Sequence, residues 1–567
     1  MTLHLAVYNN GDHAALAWLP DGPKIPDCRG FALKRSRGGQ ADYLHNFLGF
    51  SPTDVFPADA PWKWPIQRYL WWDYGVAPGD VVKYQVIPVT GAANALAQRP
   101  DLASDWSPEL TISSQFTPHI SAYFNKGVVA AQWVARALQQ EDPQETQRKA
   151  LLEIIAKPGD PLRDALGALL KGEVLSLLKN APGDVFAALY ELNDPELISA
   201  LKTLGERANL VLANGAFSSQ KPDENAAVRA DLDATKTVSV SDRMVSEGHF
   251  AHNKFAVFCD EAKAAQTVLT GSTNWTMSGL CTQANNGLLI DDHAVADRFL
   301  TQWHALQQAE NAFPASLIAA NSQQQQFVVD DVTVTPWFAP TSAQQDLQYA
   351  RNLIANAQHA ALFLFFNPGT YSDDPMKETL LQDILERRDS GLYIRGVVNQ
   401  EIAQVTDDPP PSGAPVTLIG TQDETPLSTD VLVPANIKSK IGNFDPEPLG
   451  ASPVMVHSKV VVLDPWGDHP VLMTGSHNLG VKASKANDDN LVILEGQAAT
   501  ALASAYAVNI IAIFQAYRWN HYATTQPGGW HGPEDNDTWQ DGHLTGESLT
   551  ELRFWTQQPA PAAAPAG

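Results

Sequence analysis

The sequence predicts an α/β protein with two tandem α/β/α sandwich halves that form one pseudo-twofold unit, preceded by a small all-β sandwich. Three observations support this prediction. A set of polar residues in the middle of the chain recurs 204 or 205 positions later in the same order. Strand-like and helix-like runs alternate through both halves, which is the pattern of a layered α/β domain. The first part of the chain contains short strand-like runs separated by turn-forming residues.

The recurrence and the composition divide the 567 residues into four segments. We expect a β-sandwich at residues 1–115, a first α/β half at 120–310, a second half at 330–520 and an aromatic-rich tail at 521–567. The tail ends in a Pro/Ala run with the composition of a disordered segment. A chain of this length holds several domain-sized cores.

The N-terminal segment has the pattern of an all-β domain. Its predicted strands are Leu3–Tyr8, Ala14–Leu19, Gly30–Lys34, Tyr69–Asp73 and Val81–Val89. The turn and strand at 77–86, with Trp18 and Trp106 in flanking strands, resemble a fibronectin type III domain. Such a domain serves packing or partner binding, and a plain structural cap on the rest of the chain is an equally good interpretation.

Both α/β halves show strands that alternate with helices. The predicted elements are, in chain order, strand Asp184–Leu192, helix Pro195–Gly205, strand Asn209–Ala213, helix Gln344–Ala357, strand Ala360–Phe366, helix Lys377–Arg388 and strand Leu392–Val398. The polar stretches 216–246 and 401–452 precede the two copies of the recurring motif, so we expect them to form loops at the mouth of a site.

The recurring motif joins H-x-K to Gly-Ser-x-Asn. The first copy holds His252, Lys254, Asp260, Ser272 and Asn274, and the second holds His457, Lys459, Asp464, Ser476 and Asn478. An apolar run follows each H-x-K, which predicts a buried strand. Because side chains alternate along a strand, the histidine and the lysine of each copy share one face.

These residue types suit a phosphate group. A lysine ammonium is a point charge for a phosphate oxygen, and Gly-Ser-x-Asn supplies a tight turn, a hydroxyl and an amide donor. Two facing copies would complete one binding site. Two histidines then permit a two-step displacement, in which one attacks phosphorus while the other protonates the leaving oxygen and later activates water. A histidine pKa near ~6.5 allows both roles.

Taken singly, each motif has a simpler interpretation. One H-x-K on a strand is usually a surface pair, and Gly-Ser-x-Asn alone is a common turn. The matched double occurrence favours a composite site. No neighbouring His, Cys or carboxylate completes a recognisable zinc spacing, so we expect neither a metal nor another cofactor.

The paired motif resembles the phospholipase D superfamily, whose H-x-K-D and G-S-x-N signature occurs in pairs, and the resemblance covers residues 120–520. It implies metal-independent phosphodiester chemistry through a phosphohistidine, with His252 as the nucleophile and His457 as the general acid and base. The catalytic set that it implies, here called the cradle, comprises His252, Lys254, Asn274, His457, Lys459 and Asn478. The supporting residues would be Asp260, Ser272, Asp464, Ser476 and Asp489.

The two copies depart from each other in ways that predict local structure. The first copy has one extra residue between Lys254 and Asp260, which suggests a β-bulge or a substituted role for the aspartate. After each Gly-Ser-x-Asn, Asn285 and Asp489 occupy matched positions. In the family, an acidic residue near this point orients a histidine, and Asp489 fits that role. The asparagine in the first half suggests that the two histidines are tuned differently, and a neutral structural substitution is an equal alternative.

Composition excludes some classes of protein. A net charge of −25 with a pI of about 4.9 is not that of a protein that coats polyanions. Three cysteines give no disulfide framework. The first residues lack a basic region and a long apolar core, and we find no run of 18 apolar residues. We therefore expect a cytoplasmic protein, with export by a specialised secretion route as an alternative.

Cleavage or transfer at a phosphodiester is the predicted reaction class. The acidic charge and the aromatic tail favour a phospholipid substrate, with peripheral membrane contact, a monomeric chain and no extended nucleic-acid binding. A nuclease of the same superfamily is the second hypothesis, and it would need a basic groove that the sequence does not show. A catalytically silent binding module is the third, and it is disfavoured because all six cradle residues are present.

Overall fold

The computed structural model describes residues 2–46, 48–51, 54–127, 151–217, 222–369, 372, 374, 379–399, 417–420, 429–433, 455–525 and 532–557. The chain divides into two compact units. The first comprises Met1–Ser114, Gly420–Asp430 and Arg518–Gly567, and the second comprises Gln115–Ile419 and Val431–Tyr517. The predicted fold class, a mixed α/β protein with an N-terminal all-β region, is confirmed.

The first unit contains two antiparallel sheets. Its strands are β1 Leu3–Asn9, β2 Ala14–Pro20, β3 Cys28–Arg37, β4 Gln40–Tyr43, β5 Leu70–Asp73, β6 Val81–Thr90, β7 Ala97–Gln98 and β8 Leu110–Thr111. In one sheet β2 lies between β1 and β5, and in the other β3 lies between β4 and β6, with β7 and β8 also paired to β6. The fibronectin type III resemblance stays a prediction.

The described part of the C-terminal tail packs into the core of the first unit. Trp539 stacks on Tyr69 with 5.4 Å between the ring centroids, and its Nε1 donates to the carbonyl of Cys28 at 3.0 Å. The helix Gly546–Trp555 adds Leu552 to the same core. These aromatic side chains are therefore part of a hydrophobic core.

The first half of the second unit is built on one mixed sheet. Its strands are β9 Ile120–Phe124, β10 Val185–Leu189, β11 Ala208–Ala213, β12 Ser239–Arg243, β13 Lys254–Cys259, β14 Ala265–Gly271, β15 Gln283–Ala284 and β16 Asn286–Ile290. Its helices are Pro161–Asn180, Pro195–Leu204, Ala226–Asp233, Met277–Cys281, His293–Ala309 and Ala315–Asn321. The strand order is β12-β11-β10-β13-β14-β16-β9, while β15 pairs outside this sheet.

The second half is built in the same way. Its strands are β17 Phe327–Val329, β18 Val332–Ala339, β19 Ala360–Phe365, β20 Tyr393–Val398, β21 Thr417–Gly420, β22 Thr429–Val433, β23 Met455–Val456, β24 Lys459–Leu463, β25 Val471–Gly475 and β26 Asp489–Glu495. The helices that belong to or begin in it are Gln345–Asn356, Leu380–Leu385, Val481–Ala486 and Thr500–Thr525. The strand order is β17-β18-β26-β25-β24-β19-β20-β22-β21.

The two sheets share one strand order, which supports the duplication predicted from the motif spacing. The run β11-β10-β13-β14-β16-β9 in the first half corresponds to β20-β19-β24-β25-β26-β18 in the second. The strands that follow each H-x-K, β13 and β24, lie inside their sheets. Every residue of both strands is buried, which explains their continuous apolar sequence.

Local sequence accounts for several element boundaries. The carboxylate of Asp194 accepts from the backbone N–H groups of Glu196 and Leu197, and Pro195 occupies the first turn of the helix that follows. The pairing of β13 with β14 shifts register between Phe258 and Cys259, so the extra residue of the first motif is accommodated as a bulge.

Some loop and helix predictions were wrong in extent. The stretch 216–246 was predicted as a loop, yet it contains the helix Ala226–Asp233 and strand β12. Val228 and Leu232 are four positions apart and both buried, so this polar stretch carries a short amphipathic face. The predicted helix Lys377–Arg388 is described only as Leu380–Leu385, because residues 375–378 lie outside the described residues, as does most of 401–452.

One helix, over Gln497–Trp519, is long and apolar enough by composition to cross a membrane. In its most apolar window 78% of the residues are buried inside the fold. A helix in the core of a globular unit is buried to a similar extent. The length and composition of this helix are therefore weak evidence for a membrane span.

The two motif glycines are fixed by close backbone approach. A Cβ on Gly475 would lie 2.3 Å from the carbonyl oxygen of Asn490, and a Cβ on Gly271 would lie 2.4 Å from that of Asn286. Both glycines also have positive φ, +151° and +137°. Larger residues at these positions would push apart the strands that carry the motif.

We predict that Gly475→Ala destabilises the protein by at least about 1–3 kcal/mol, because it adds a backbone clash to an unfavourable φ. Thermal unfolding should show a lowered Tm. Gly172→Ala is the control, since Gly172 lies in a helix and an added Cβ meets nothing within 4 Å. The control should match or exceed the wild-type Tm, and a wild-type Tm for Gly475→Ala would contradict the prediction.

Candidate active site

The two halves exchange backbone hydrogen bonds at the motif histidines, two residues before strands β13 and β24 begin. The N–H of His252 donates to the carbonyl of Asp488 at 2.8 Å, and the N–H of His457 donates to the carbonyl of Ala284 at 3.0 Å. Residue 284 in the first half and residue 488 in the second half are matched positions. Each histidine is therefore held by the main chain of the opposite half.

Short parallel pairings frame these bonds. Strand β15 pairs with β23, and Ala251 forms a bridge with Asp488. Two side-chain bonds repeat the pattern across the seam. Thr270 donates to Asn490 Oδ1 at 2.7 Å, and Thr474 donates to Asn286 Oδ1 at 3.0 Å. The pseudo-twofold arrangement thus extends from the sheets to individual hydrogen bonds.

His252 is oriented by a carboxylate from the opposite half. Its Nδ1 lies 2.8 Å from Asp489 Oδ1, which also accepts from the hydroxyl of Ser476 at 2.7 Å. The ring lies edge-on to Tyr190, with 4.7 Å between the centroids. Lys254 Nζ donates to the carbonyl of His252 at 2.9 Å. With the Nδ1 proton held by the carboxylate, Nε2 carries the free lone pair.

His457 has an amide in the corresponding place. Its Nδ1 lies 3.0 Å from Asn285 Oδ1, which accepts from the hydroxyl of Ser272 at 2.8 Å. The Asn285 Nδ2 group donates to the carbonyl of Gly279 at 2.8 Å, which fixes the orientation of the amide. Lys459 Nζ lies 3.1 Å from His457 Nε2, so this lysine donates to the nitrogen that would handle a substrate proton.

An aromatic ring lies next to the lysine of each motif, and neither ring was among the predicted site residues. Lys254 Nζ lies 4.8 Å from the Tyr190 ring centroid, and Lys459 Nζ lies 4.6 Å from that of Phe366. The two rings occupy equivalent positions. Tyr190 directly follows Leu189, which pairs with Lys254. Phe366 directly follows Phe365, which pairs with Lys459. Their matched positions at the ends of two predicted strands were the available signal.

Burial sets the charge of the cradle. Burial and the neighbouring Lys254 ammonium lower the pKa of His252 to about 4, although Asp489 opposes this shift. Burial and both lysines hold the pKa of His457 well below its usual value. Burial also lowers the pKa of Lys254 to about 7, and burial with repulsion from Lys254 holds the pKa of Lys459 well below its usual value. Both histidines are therefore neutral near pH 7.

The two motif asparagines, Asn274 and Asn478, each have a side-chain amide oxygen without a hydrogen-bond partner among the described residues. Asn274 Nδ2 donates to Glu191 Oε2 at 2.6 Å. The Oδ1 atoms of Asn274 and Asn478 are buried and have no hydrogen-bond partner among the described residues. Unpartnered buried polar atoms are rare in folded proteins, and an amide oxygen of this kind calls for a donor such as water or a protonated ligand group.

Glu191 is a site residue that sequence reasoning missed. It follows Tyr190 directly and faces Asn274 through the bond just described. Burial and repulsion from Glu224 raise its pKa to about 7, against the opposing effect of Lys254 and the other cradle lysine. The only sequence signal was its place at the end of a predicted strand.

Two predicted supporting residues do not reach the cradle. Asp464 accepts from the backbone N–H groups of residues 358–360, each at 2.7 Å. Asp260 accepts from the N–H of Ala264 at 2.9 Å, inside its own hairpin turn. Each aspartate directly follows the last residue of the strand that begins at the motif lysine. Because a strand advances about 3.3 Å per residue, the length of the strand separates the aspartate from the lysine. Their role in the structure is to fix chain turns.

Within the described ranges, we find no group of three or more His, Cys, Asp or Glu side chains arranged to hold a metal ion. All three cysteines are buried and unpaired.

Comparison with known proteins agrees with this geometry. A family model described as "Cardiolipin synthase, PLD-like domain" matches residues 174–306. These residues form a phospholipase D-like domain, and the resemblance predicted from the paired motif is confirmed there. The domain is of the phosphodiesterase type. No curated protein sequence matches the chain.

The chain also matches solved structures at low sequence identity, among them the following three. A phosphatidylserine synthase from Haemophilus influenzae is 13% identical with a TM-score of 0.42, over 61% of this chain and 84% of that one. Nuc, a phospholipase D family member from Salmonella typhimurium, is 19% identical with a TM-score of 0.20, over 26% and 91%. Yeast tyrosyl-DNA phosphodiesterase is 8% identical with a TM-score of 0.32, over 57% and 86%. Scores this low do not identify a substrate.

We predict that binding of dimethyl phosphate, a monoanion at all relevant pH values, weakens at least about tenfold between about pH 6 and about pH 8.5. Lys254 is protonated below its pKa and must take up a proton above it, so the cradle loses affinity as the pH rises. Thermal stabilisation by the ligand, measured at each pH, gives the Kd. The exposed Lys263→Met is the control and should leave the profile unchanged, whereas pH-independent binding by the wild type would contradict the prediction.

Proposed function

We propose that this protein is a phosphodiesterase that cleaves or transfers a phospholipid head group through a phosphohistidine intermediate. The observation that carries the proposal is the pairing of His252 with Asp489 from the opposite half at 2.8 Å. A neutral histidine whose Nδ1 proton is held by a carboxylate presents Nε2 as a nucleophile.

In the first step, Nε2 of His252 attacks phosphorus and the bond from phosphorus to the leaving oxygen breaks. The negative charge that develops on the phosphoryl oxygens is met by the ammonium groups of Lys254 and Lys459 and by the amides of Asn274 and Asn478. As the bond forms, His252 becomes positively charged, and Asp489 stabilises that charge.

His457 is placed to supply the leaving-group proton. In the structure its Nε2 accepts from Lys459, which must turn toward a phosphoryl oxygen when the substrate anion binds. The anion also opposes the lysine charges that depress the pKa of His457. His457 then takes up a proton at Nε2 and passes it to the leaving oxygen.

In the second step, the same histidine removes a proton from water or an alcohol, whose oxygen attacks the phosphohistidine. The bond between phosphorus and His252 Nε2 breaks, and the product is a phosphomonoester or a new diester. Proton balance is restored, because His457 gives one proton in the first step and regains one in the second.

The phospholipid assignment is supported by charge. A chain with a net charge of −25 repels an extended polyanion, whereas one phosphate on a lipid needs only a local basic site. The cradle provides such a site, with two lysines inside an acidic protein.

We predict that His252→Ala and His457→Ala each lower turnover by at least about a thousandfold with the fold intact, because the two histidines act as one unit. The assay uses phosphatidylcholine micelles, bis(p-nitrophenyl) phosphate and single-stranded DNA, each with EDTA present. His469→Ala, an exposed histidine outside the cradle, is the matched control.

The three substrates separate the alternatives. Lipid cleavage that is lost in both cradle variants supports the proposal. DNA cleavage that is lost in the same way identifies a nuclease, and the absence of turnover with every substrate would contradict the proposal and favour the silent binding module. Activity that EDTA abolishes and one metal restores would contradict the metal-independent mechanism.

We predict that Asp489→Asn lowers kcat by about 10²–10⁴-fold, because a neutral amide cannot stabilise the positive charge that develops on His252 as it attacks phosphorus. The comparison variant is Asn285→Asp, which places a carboxylate beside His457 and should raise its pKa, thereby moving the pH dependence of kcat upward. A wild-type kcat for Asp489→Asn would show that the carboxylate does not prepare the nucleophile.

A further inference from the structure

The carboxyl group of Glu191 lies among the cationic groups of the cradle. Its Oε2 accepts from Asn274 Nδ2 at 2.6 Å, which ties it to the Gly-Ser-x-Asn turn of the first motif. Its ionisation is coupled electrostatically to Lys254 and Lys459, one lysine from each half. Glu191 as a residue is half-buried. A carboxylate at this position would repel a phosphate group bound by the same asparagine and lysines.

The acid breaks the pseudo-twofold arrangement. Leu189 pairs with Lys254, and Phe365 pairs with Lys459, so Glu191 in the first half corresponds to Asn367 in the second. The mechanism of displacement uses neither residue. The cradle therefore contains one negative charge that its duplicated scaffold does not require.

The charge of Glu191 is adjustable near neutral pH. Burial and the nearby Glu224 carboxylate favour the protonated form, whereas the two lysines favour the charged form, and the pKa is raised to about 7. Above that pH the carboxylate offsets one lysine, and below it the carboxyl group can donate to a phosphoryl oxygen.

We propose that Glu191 is a specificity residue that makes the cradle favour a singly charged phosphodiester over a doubly charged phosphomonoester. The proposal rests on the proposed function of the cradle as a phosphodiester site. It names the charge class of the ligand, and it assigns a role to a residue outside the paired motif.

The physical argument is that Coulomb energy is proportional to ligand charge. A carboxylate at a given distance repels a dianion twice as strongly as a monoanion, while the lysines attract both. Hydrolysis of a phosphodiester by this mechanism yields a phosphomonoester, which is a dianion for much of the time near pH 7. Glu191 would therefore weaken the binding of the product more than that of the substrate, which eases product release.

The test compares two ions whose charges do not change with pH between about 5.5 and 8.5: sulfate, a dianion, and dimethyl phosphate, a monoanion. Their Kd values are measured on the full chain from ligand-dependent thermal stabilisation. The ratio of the two constants is the readout. The lysines attract a dianion more strongly than a monoanion, so the wild type and each variant are compared at the same pH, where both contain the same lysines.

At about pH 8.5, Glu191→Gln should shift the ratio toward sulfate by about tenfold or more. At about pH 5.5 the variant and the wild type should converge, because the wild-type carboxyl is then protonated. Glu191→Asn, which copies the second half, should behave like Glu191→Gln. Glu173→Gln removes a half-buried carboxyl that contacts Tyr123 and should keep the wild-type ratio.

Each result decides the proposal. An unchanged ratio in both Glu191 variants, with both ions still bound, overturns it. The two variants differ in side-chain length, so if one fails to fold the other decides, and an unchanged ratio in the variant that folds overturns the proposal. If neither ion binds the wild type, the cradle is not an anion site, and the proposed function fails together with this inference.

Discussion

The site depends on a reciprocal backbone exchange between the two halves. The N–H groups of His252 and His457 each donate to a carbonyl of the opposite half. These bonds are buried, and a buried N–H left without a partner costs about 1–3 kcal/mol. Any displacement of one half that breaks these bonds without admitting water would incur this cost at both histidines. The main chain of each half thus positions the motif histidine of the other half.

That exchange creates an electrostatic problem which the side chains resolve only in part. Two lysines and two histidines are brought together out of water, so the neutral forms of the histidines are favoured. Asp489 offsets some of the positive charge: although burial opposes it, the neighbouring His252 holds the pKa of this carboxyl below its usual value. An incoming phosphate anion supplies the missing negative charge. We therefore expect affinity for an anion to arise from the same burial that makes the unliganded cluster costly.

Sequence spacing was sufficient to predict the duplication and the cradle, because each motif is local and its residues stay on one strand and one turn. It was not sufficient to assign partners. Asp489 lies thirteen residues after Ser476 in the same half, yet it orients His252 of the other half. Asp464 belongs to the family signature, yet it only caps a turn at the far end of its strand. Which side chain reaches which histidine is decided by sheet pairing across the seam, and one sequence does not contain that information.

The duplicated scaffold also explains where functional differences can arise. The strand order and the seam hydrogen bonds repeat in both halves, so the backbone gives the two histidines nearly equivalent positions. Unequal roles must then come from side chains at matched positions. At one pair of matched positions, Asp489 gives His252 a charged partner, whereas Asn285 gives His457 a neutral one. Glu191 against Asn367 places one extra acid on the side of His252. The displacement needs one nucleophile and one proton carrier, and two substitutions on a symmetric backbone are enough to distinguish them.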